Sequence, residues 1–173
     1  MKIALLPGDG VGPEVIAEAR KAVDATGLAV EWTELPWGSA YWHKPGRMMP
    51  EDGIETLRAH DAILMGAVGD PAVPDPVSLW PVHGSAPDIP GQGIGNPCVA
   101  VWSAALMLEH QGEREAAGRL MTALEAVCRE GLRTRDVGGS ASTAEVGETI
   151  AARVAQSSPR PRPLVARNRH QQR

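Results

Sequence analysis

Ile3, Ala4, Leu5 and Leu6 form an unbroken apolar run that stops at Pro7-Gly8-Asp9-Gly10-Val11-Gly12-Pro13-Glu14. Beyond the glycines, Ile16, Ala19, Ala22 and Val23 recur at helical spacing, so the start of the chain predicts strand, tight turn and amphipathic helix. Pro13 and Glu14 suit the first turn of that helix, where a missing N–H costs nothing and a carboxylate meets the positive end. Residues 29–34 alternate as a second strand, 51–60 read as a short helix with Ile54 and Leu57 inward, and 61–67 read as a third strand. From Pro97 onward the period is helical. Val99, Trp102, Ala105 and Leu106 line one face of a helix that ends near His110, with Gly112 just past it. A second helix over 113–129 buries Ala117, Leu120, Met121, Leu124 and Val127 and stops at Gly131. Ser142 with Glu145 spells a capping box ahead of a third helix that carries Val146, Ile150 and Val154. The expected architecture is α/β: a short, mostly parallel sheet flanked by helices.

Between the strands and the late helices lies a stretch that suits neither. Residues 83–97 hold four glycines and three prolines in fifteen positions, with His83, Ser85, Asp88 and Asn96 as short, directional polar side chains. Such a stretch fixes a backbone path and grips a small polar ligand better than it packs a core. Asn96 before Pro97 reads as a helix N-cap with proline at the first helical position, so the loop ends on a helix terminus whose free N–H groups point back at it. In an open parallel sheet, a loop of this kind belongs at the carboxyl edge of the strands.

Composition narrows the classes. The 173 residues include 17 Lys and Arg against 21 Asp and Glu, a formal net charge of -4, with five Trp and no Phe. The longest apolar run, around Ala62 to Met65, is far too short to cross a bilayer, and no signal peptide is visible. Cys98 and Cys128 lie far apart without a partner motif, which suggests a reducing cytoplasm and two small buried side chains. Every Asp and Glu precedes residue 149, whereas Arg160, Arg162, Arg167, Arg169 and Arg173 crowd the end of the chain. That basic, proline-rich tail, residues 155–173, is expected to be extended and disordered. Without interleaved aromatics it does not make a nucleic-acid reader.

Chemical motifs are few. The histidines at 43, 60, 83, 110 and 170 show no ligand spacing, and Asp70 and Asp75 read as solvated loop carboxylates, so no metal site is expected. Nucleophile elbow, P-loop lysine and paired-cysteine zinc motif are all missing. The glycine turn at Gly8, Gly10 and Gly12 departs from the dinucleotide fingerprint, and Asp9 reads as an Asx-type turn residue. Arg135 and Asp136 read as a structural ion pair.

The order His83-Gly84-Ser85-Ala86-Pro87-Asp88-Ile89, then glycines, then Asn96-Pro97, resembles the adenosine-binding loop of the isocitrate/isopropylmalate dehydrogenase family. The turn from Pro7 to Glu14 and the stretch Thr134-Arg135-Asp136-Val137-Gly138-Gly139 are similar to the opening and closing motifs of that family. The resemblance implies an isopropylmalate dehydrogenase-like nucleotide-binding domain. In it His83, Gly84, Ser85, Ala86, Asp88, Ile89 and Asn96 wrap the adenine and ribose of NAD, and Val11 lies toward the nicotinamide. An acid at Asp88 accepts from the ribose hydroxyls and repels a 2'-phosphate, which implies NAD over NADP.

The segment from Trp37 through Val77-Ser78-Leu79-Trp80 looks most like the tartrate and D-malate dehydrogenase branch, where Ser78 and Trp80 would bear on a malate-like 2-hydroxy acid; Trp80 reads equally well as core packing. At Trp80 the amino-terminal pattern stops, and at Pro81 the carboxy-terminal one begins. The expectation is therefore a domain over 1–154, made of block 1–80 joined to block 81–154, with the second domain absent. The family uses Mg or Mn in an NAD-dependent oxidative decarboxylation. Its arginine clamp, tyrosine, lysine and metal-binding aspartates have no counterpart here, so no catalytic residue is assigned and the chain is expected to be inactive or nearly so. The alternative is a non-catalytic binding protein, a homo-oligomer or a partner of a full-length paralogue, or the product of a degraded gene. An open sheet edge and an exposed apolar patch are expected.

Overall fold

A computed structural model describes residues 1–70, 73 and 84–157. Ser78, Trp80, His83 and the junction of residues 80 and 81 lie outside the described residues, as do 158–173. Three strands, β1 (Lys2–Leu6), β2 (Glu31–Glu34) and β3 (Ala62–Met65), form one parallel sheet in the order β2-β1-β3. Ile3 stands beside Trp32 on one side and Ala62 on the other. The helices are α1 (Gly12–Asp24), two short ones, α2 (Ser39–Trp42) and α3 (Gly53–Arg58), and then α4 (Cys98–His110), α5 (Arg114–Glu130) and α6 (Thr143–Gln156). The α/β expectation and all three expected strands hold.

Side chains of successive strand residues point to opposite faces, and β1 uses both. Ile3 and Leu5 enter the main core with α1, α4, α5 and α6, where Ile16, Val101, Leu108, Leu120, Ile150 and Val154 are sealed from solvent. Ala4 and Leu6 meet a small second cluster with Leu35. Helix ends follow local rules. Gly131 takes the left-handed conformation after α5, and α6 begins on the expected box: Ser142 accepts from the Glu145 N–H while the Glu145 carboxylate accepts from the Ser142 N–H. Arg119 of α5 donates to Thr26 O past the end of α1 at 3.0 Å and to Val154 O in α6 at 2.6 Å, tying three helices through one guanidinium.

Several expectations are corrected. In α4 the buried residues are Ala100, Val101, Ala104, Ala105 and Leu108, while Trp102 and Leu106 are 46% and 51% exposed. That helix is apolar on every side, so period alone could not choose a face. The alanine face wins because small residues let α4 approach its neighbours closely. Ile54 points outward, 43% exposed, since α3 spans only Gly53–Arg58 and its Leu57 makes the sheet contact. Met121 is only partly buried, at the rim of the core. The cysteines are not both buried: Cys98 opens α4, half-buried, and Cys128 is exposed near the end of α5, and although far apart in sequence they line one cavity because the helices fold back on each other. Among the described residues Arg135 and Asp136 make no ion pair; Asp136 accepts from Asn96 and Thr134 instead. Asp70 is not simply solvated, for its Oδ2 lies 2.8 Å from His43 Nε2.

Candidate functional site at the carboxyl edge of the sheet

The turns that follow β1 and β3 leave the same edge of the sheet and are bonded to each other and to the glycine-rich loop. Asp9 N–H donates to Ala67 O at 2.7 Å, and Val11 N–H donates to Ser85 O at 2.8 Å. Gly10 sits at φ 58°, and a Cβ added there would lie 1.9 Å from Ser85 O, so both the conformation and the close approach exclude a side chain. The loop thus lies directly on the first turn.

Asp9 is the hub of this edge. Its carboxylate accepts from Ser39 Oγ at 2.6 Å, Ser39 N–H at 3.2 Å and Gly69 N–H at 3.0 Å. The expected local Asx turn is replaced by ties to two distant segments, one of them through the buried Ser39. Charge-assisted bonds of this kind are about twice as strong as neutral ones, so the turns after all three strands are held in register.

Glu14 and Thr143 hold the loop from below. The Glu14 carboxylate accepts from Gly93 N–H at 3.1 Å and from Gly91 N–H. Thr143, buried at the start of α6, donates its N–H to Gly93 O at 2.8 Å and its hydroxyl to Gly95 O at 2.7 Å. Neither residue is a site residue in the sequence reading: Glu14 reads there only as a first-turn acid, a job it does at a helix start that happens to face the loop, and Thr143 follows the Ser142 cap.

The expected site residues divide into those that build the loop and those that face solvent. Val11 is only 6% exposed and packs under Gly95, so it supports the loop from inside. Asn96 is spent on structure: its Oδ1 accepts from Cys98 N–H at 3.0 Å, the expected cap on α4, and its Nδ2 donates to Asp136 at 3.0 Å. Ser85 gives its carbonyl to Val11, and Ile89 N–H closes a turn onto Ala86 O at 3.2 Å. Ala86 takes φ 43°, the positive-φ residue other than glycine among the described residues. Such a conformation persists only where its surroundings enforce it. Gly84 and Asp88 are exposed, and Gln92 bonds the Asp88 carbonyl, leaving the Asp88 carboxylate without a protein partner among the described residues.

Hydrogen bonds also set the charge at the far end of the loop. Partial burial raises the Asp136 carboxyl, but donation from Thr134, from Asn96 and from the N–H groups of Asp136 and Val137 outweighs it and holds the group below the ordinary carboxylate value.

A cavity of about 500 Å³ opens on the β2 side of the first turn, between Pro7, Asp9, Ile16, Arg20 and Trp37, and no residue of the loop lines it. Among the described residues no three His, Cys, Asp or Glu side chains come together in a way that could hold a metal. The donor set present there does not fit a divalent cation. No described helix is long and apolar enough to cross a membrane.

The isocitrate/isopropylmalate dehydrogenase family model matches residues 2–79 and 77–150. The chain belongs to that family. Its two matching stretches meet at 77–79, beside the change of pattern read at Trp80 and Pro81. A probable tartrate dehydrogenase/decarboxylase of Bacillus subtilis is 44% identical over 98 residues, which are 53% of this chain and 28% of that protein. A 3-isopropylmalate dehydrogenase of Nocardia farcinica is 52% identical over 77 residues, 44% of this chain and 23% of its own length. A probable tartrate dehydrogenase/decarboxylase of Agrobacterium vitis is 51% identical over 89 residues, 51% and 25% of the two chains. The chain therefore spans about a quarter of the length of the curated relatives it matches. Among solved structures, isocitrate dehydrogenase of Methylococcus capsulatus shares the fold with a TM-score of 0.79 at 18% identity, over 90% of this chain and 99% of that one. A beta-decarboxylating dehydrogenase of Thermococcus kodakarensis gives 0.79 at 17% identity, over 90% and 96%.

Proposed function

We propose that this member of the isocitrate/isopropylmalate dehydrogenase family binds the adenosine half of NAD on the loop of residues 84–96 and has little or no turnover of its own. The observation that carries the reading is Asp88, an exposed carboxylate without a protein partner among the described residues, on a loop whose backbone is clamped by Val11, Glu14 and Thr143. A pre-ordered loop loses little entropy when a ligand arrives. A carboxylate with free lone pairs can accept from two neighbouring ribose hydroxyls, and it repels a 2'-phosphate at the same place. When bound, NAD would supply a hydride acceptor; the family's arginine clamp for substrate carboxylates, its tyrosine and lysine and its metal-binding aspartates, which oxidative decarboxylation of a malate-like acid needs, have no counterpart in this sequence by the resemblance. His83, Ser78 and Trp80 remain part of the proposal, as the resemblance assigns them.

Thermal unfolding with added nucleotide tests the reading, because a ligand that binds the folded state alone raises its stability with concentration. Millimolar NAD should raise the melting temperature and NADP should raise it less, while Asp88→Ala should abolish the difference. Equal or null shifts with both nucleotides in the unmodified chain overturn the cofactor assignment. NAD reduction by the purified chain with tartrate or malate and manganese overturns the assignment of low turnover.

A further inference from the structure

Cys98 stands in the first turn of α4 and Cys128 in the last turn of α5. The two helices fold back on each other, so residues 30 apart in sequence line one cavity of about 330 Å³, together with Asn96, Thr134, Val137 and Val146. The two thiols are unequal: Cys98 is half-buried, whereas Cys128 is exposed. Burial first, then the charge and the hydrogen bond of Cys128, push the Cys98 thiol up to about 12. Cys98 therefore keeps its proton, and Cys128 is the sulfur that a reagent from solvent can reach.

We propose that Cys98 and Cys128 form a reversible redox-modification site, which a low-molecular-weight disulfide oxidises to an intramolecular bridge between the head of α4 and the tail of α5. In the first step the Cys128 thiolate attacks one sulfur of the reagent, its S–S bond breaks, and one reagent thiolate leaves. In the second, Cys98 gives its proton to solvent and attacks the Cys128 sulfur, expelling the other half of the reagent, which takes up a proton. Two protein thiols are oxidised and one reagent disulfide is reduced to two thiols.

The site is wired to the glycine-rich loop. Cys98 N–H is held by Asn96 Oδ1, and Asn96 Nδ2 is held by Asp136, so the bridge closes on the residues that end the loop. A bridge with one exposed sulfur belongs to the labile class rather than the permanent one.

The test treats the full chain with glutathione disulfide at pH 7 and pH 8.5 and follows intact mass, peptide maps and melting temperature. The expected product is about 2 Da lighter, contains a Cys98–Cys128 peptide pair, reverts with dithiothreitol, forms faster at the higher pH, and melts about 5 °C or more higher because a loop is closed in the unfolded chain. Cys128→Ser should abolish the reaction, and Cys98→Ser should stop at a mixed disulfide on Cys128. Cys98→Ala repeats that experiment with no polar group at the half-buried position. A stable mixed disulfide on Cys128 in the unmodified chain overturns the proposal, as does a bridge between two chains.

Discussion

The two faces of the β2-β1-β3 sheet are built from alternate residues of the same strands, yet they end in different surroundings. Ile3, Leu5 and Leu64 lie under α1, α4, α5 and α6, in one continuous apolar layer. Ala4 and Leu6 share the opposite face with Leu35 and the partly buried Trp37, Leu57 and Met65. On that face α3 reaches the sheet through Leu57, and Ile63, the register partner of Ala4, stays 45% exposed. Among the described residues the contrast places most of the buried apolar side chains on the helical side of the sheet. The loop is fastened accordingly: Glu14 and Thr143 reach it from α1 and α6, both in the helical layer.

Core truncation on each face measures the contrast directly. Leu120, sealed in the helical layer, should cost about 3 kcal/mol or more as Leu120→Ala, because the rigid surroundings leave a cavity. That loss lowers the melting temperature by about 6–12 °C for a chain of this size. Leu6→Ala, on the sparse face at 8% exposure, should cost about 2 kcal/mol or less, since its neighbours are partly solvated and can close in. Equal losses in denaturant titrations of the two variants would erase the distinction.

Acid should loosen the helical layer at its loop-side ends by a smaller amount. Glu145, which caps α6 through the Ser142 N–H and hydroxyl, and Asp136, which ties the head of α4, both ionise below their ordinary values of 4.5 and 3.8. Each carboxyl is more acidic folded than unfolded, so its contribution is fully present above the ordinary value and is lost as pH falls through the folded one. Melting temperature should decline more steeply between pH 5 and 3 in the unmodified chain than in a Glu145→Gln, Asp136→Asn variant. Parallel curves would assign the acid sensitivity to other groups.

Much of this was legible locally. The strands at 2–6, 29–34 and 61–67, the Ser142–Glu145 capping box, the stop at Gly131 and the Asn96 cap each depend on neighbours within one turn or one pleat. A short window of sequence therefore contains their cause, and the glycine-rich loop announced itself by composition for the same reason. Tertiary structure alone decided the rest. α4 is apolar all round, so only the neighbours it met could turn Ala104 and Leu108 inward and Trp102 outward. Asp9 found Ser39 and Gly69, Glu14 found Gly91 and Gly93, and Cys98 found Cys128 because the crossovers between parallel strands and the α4–α5 hairpin bring distant segments together. A polar side chain states in sequence that it will need a partner, but which partner it takes is set by the path of the chain between them.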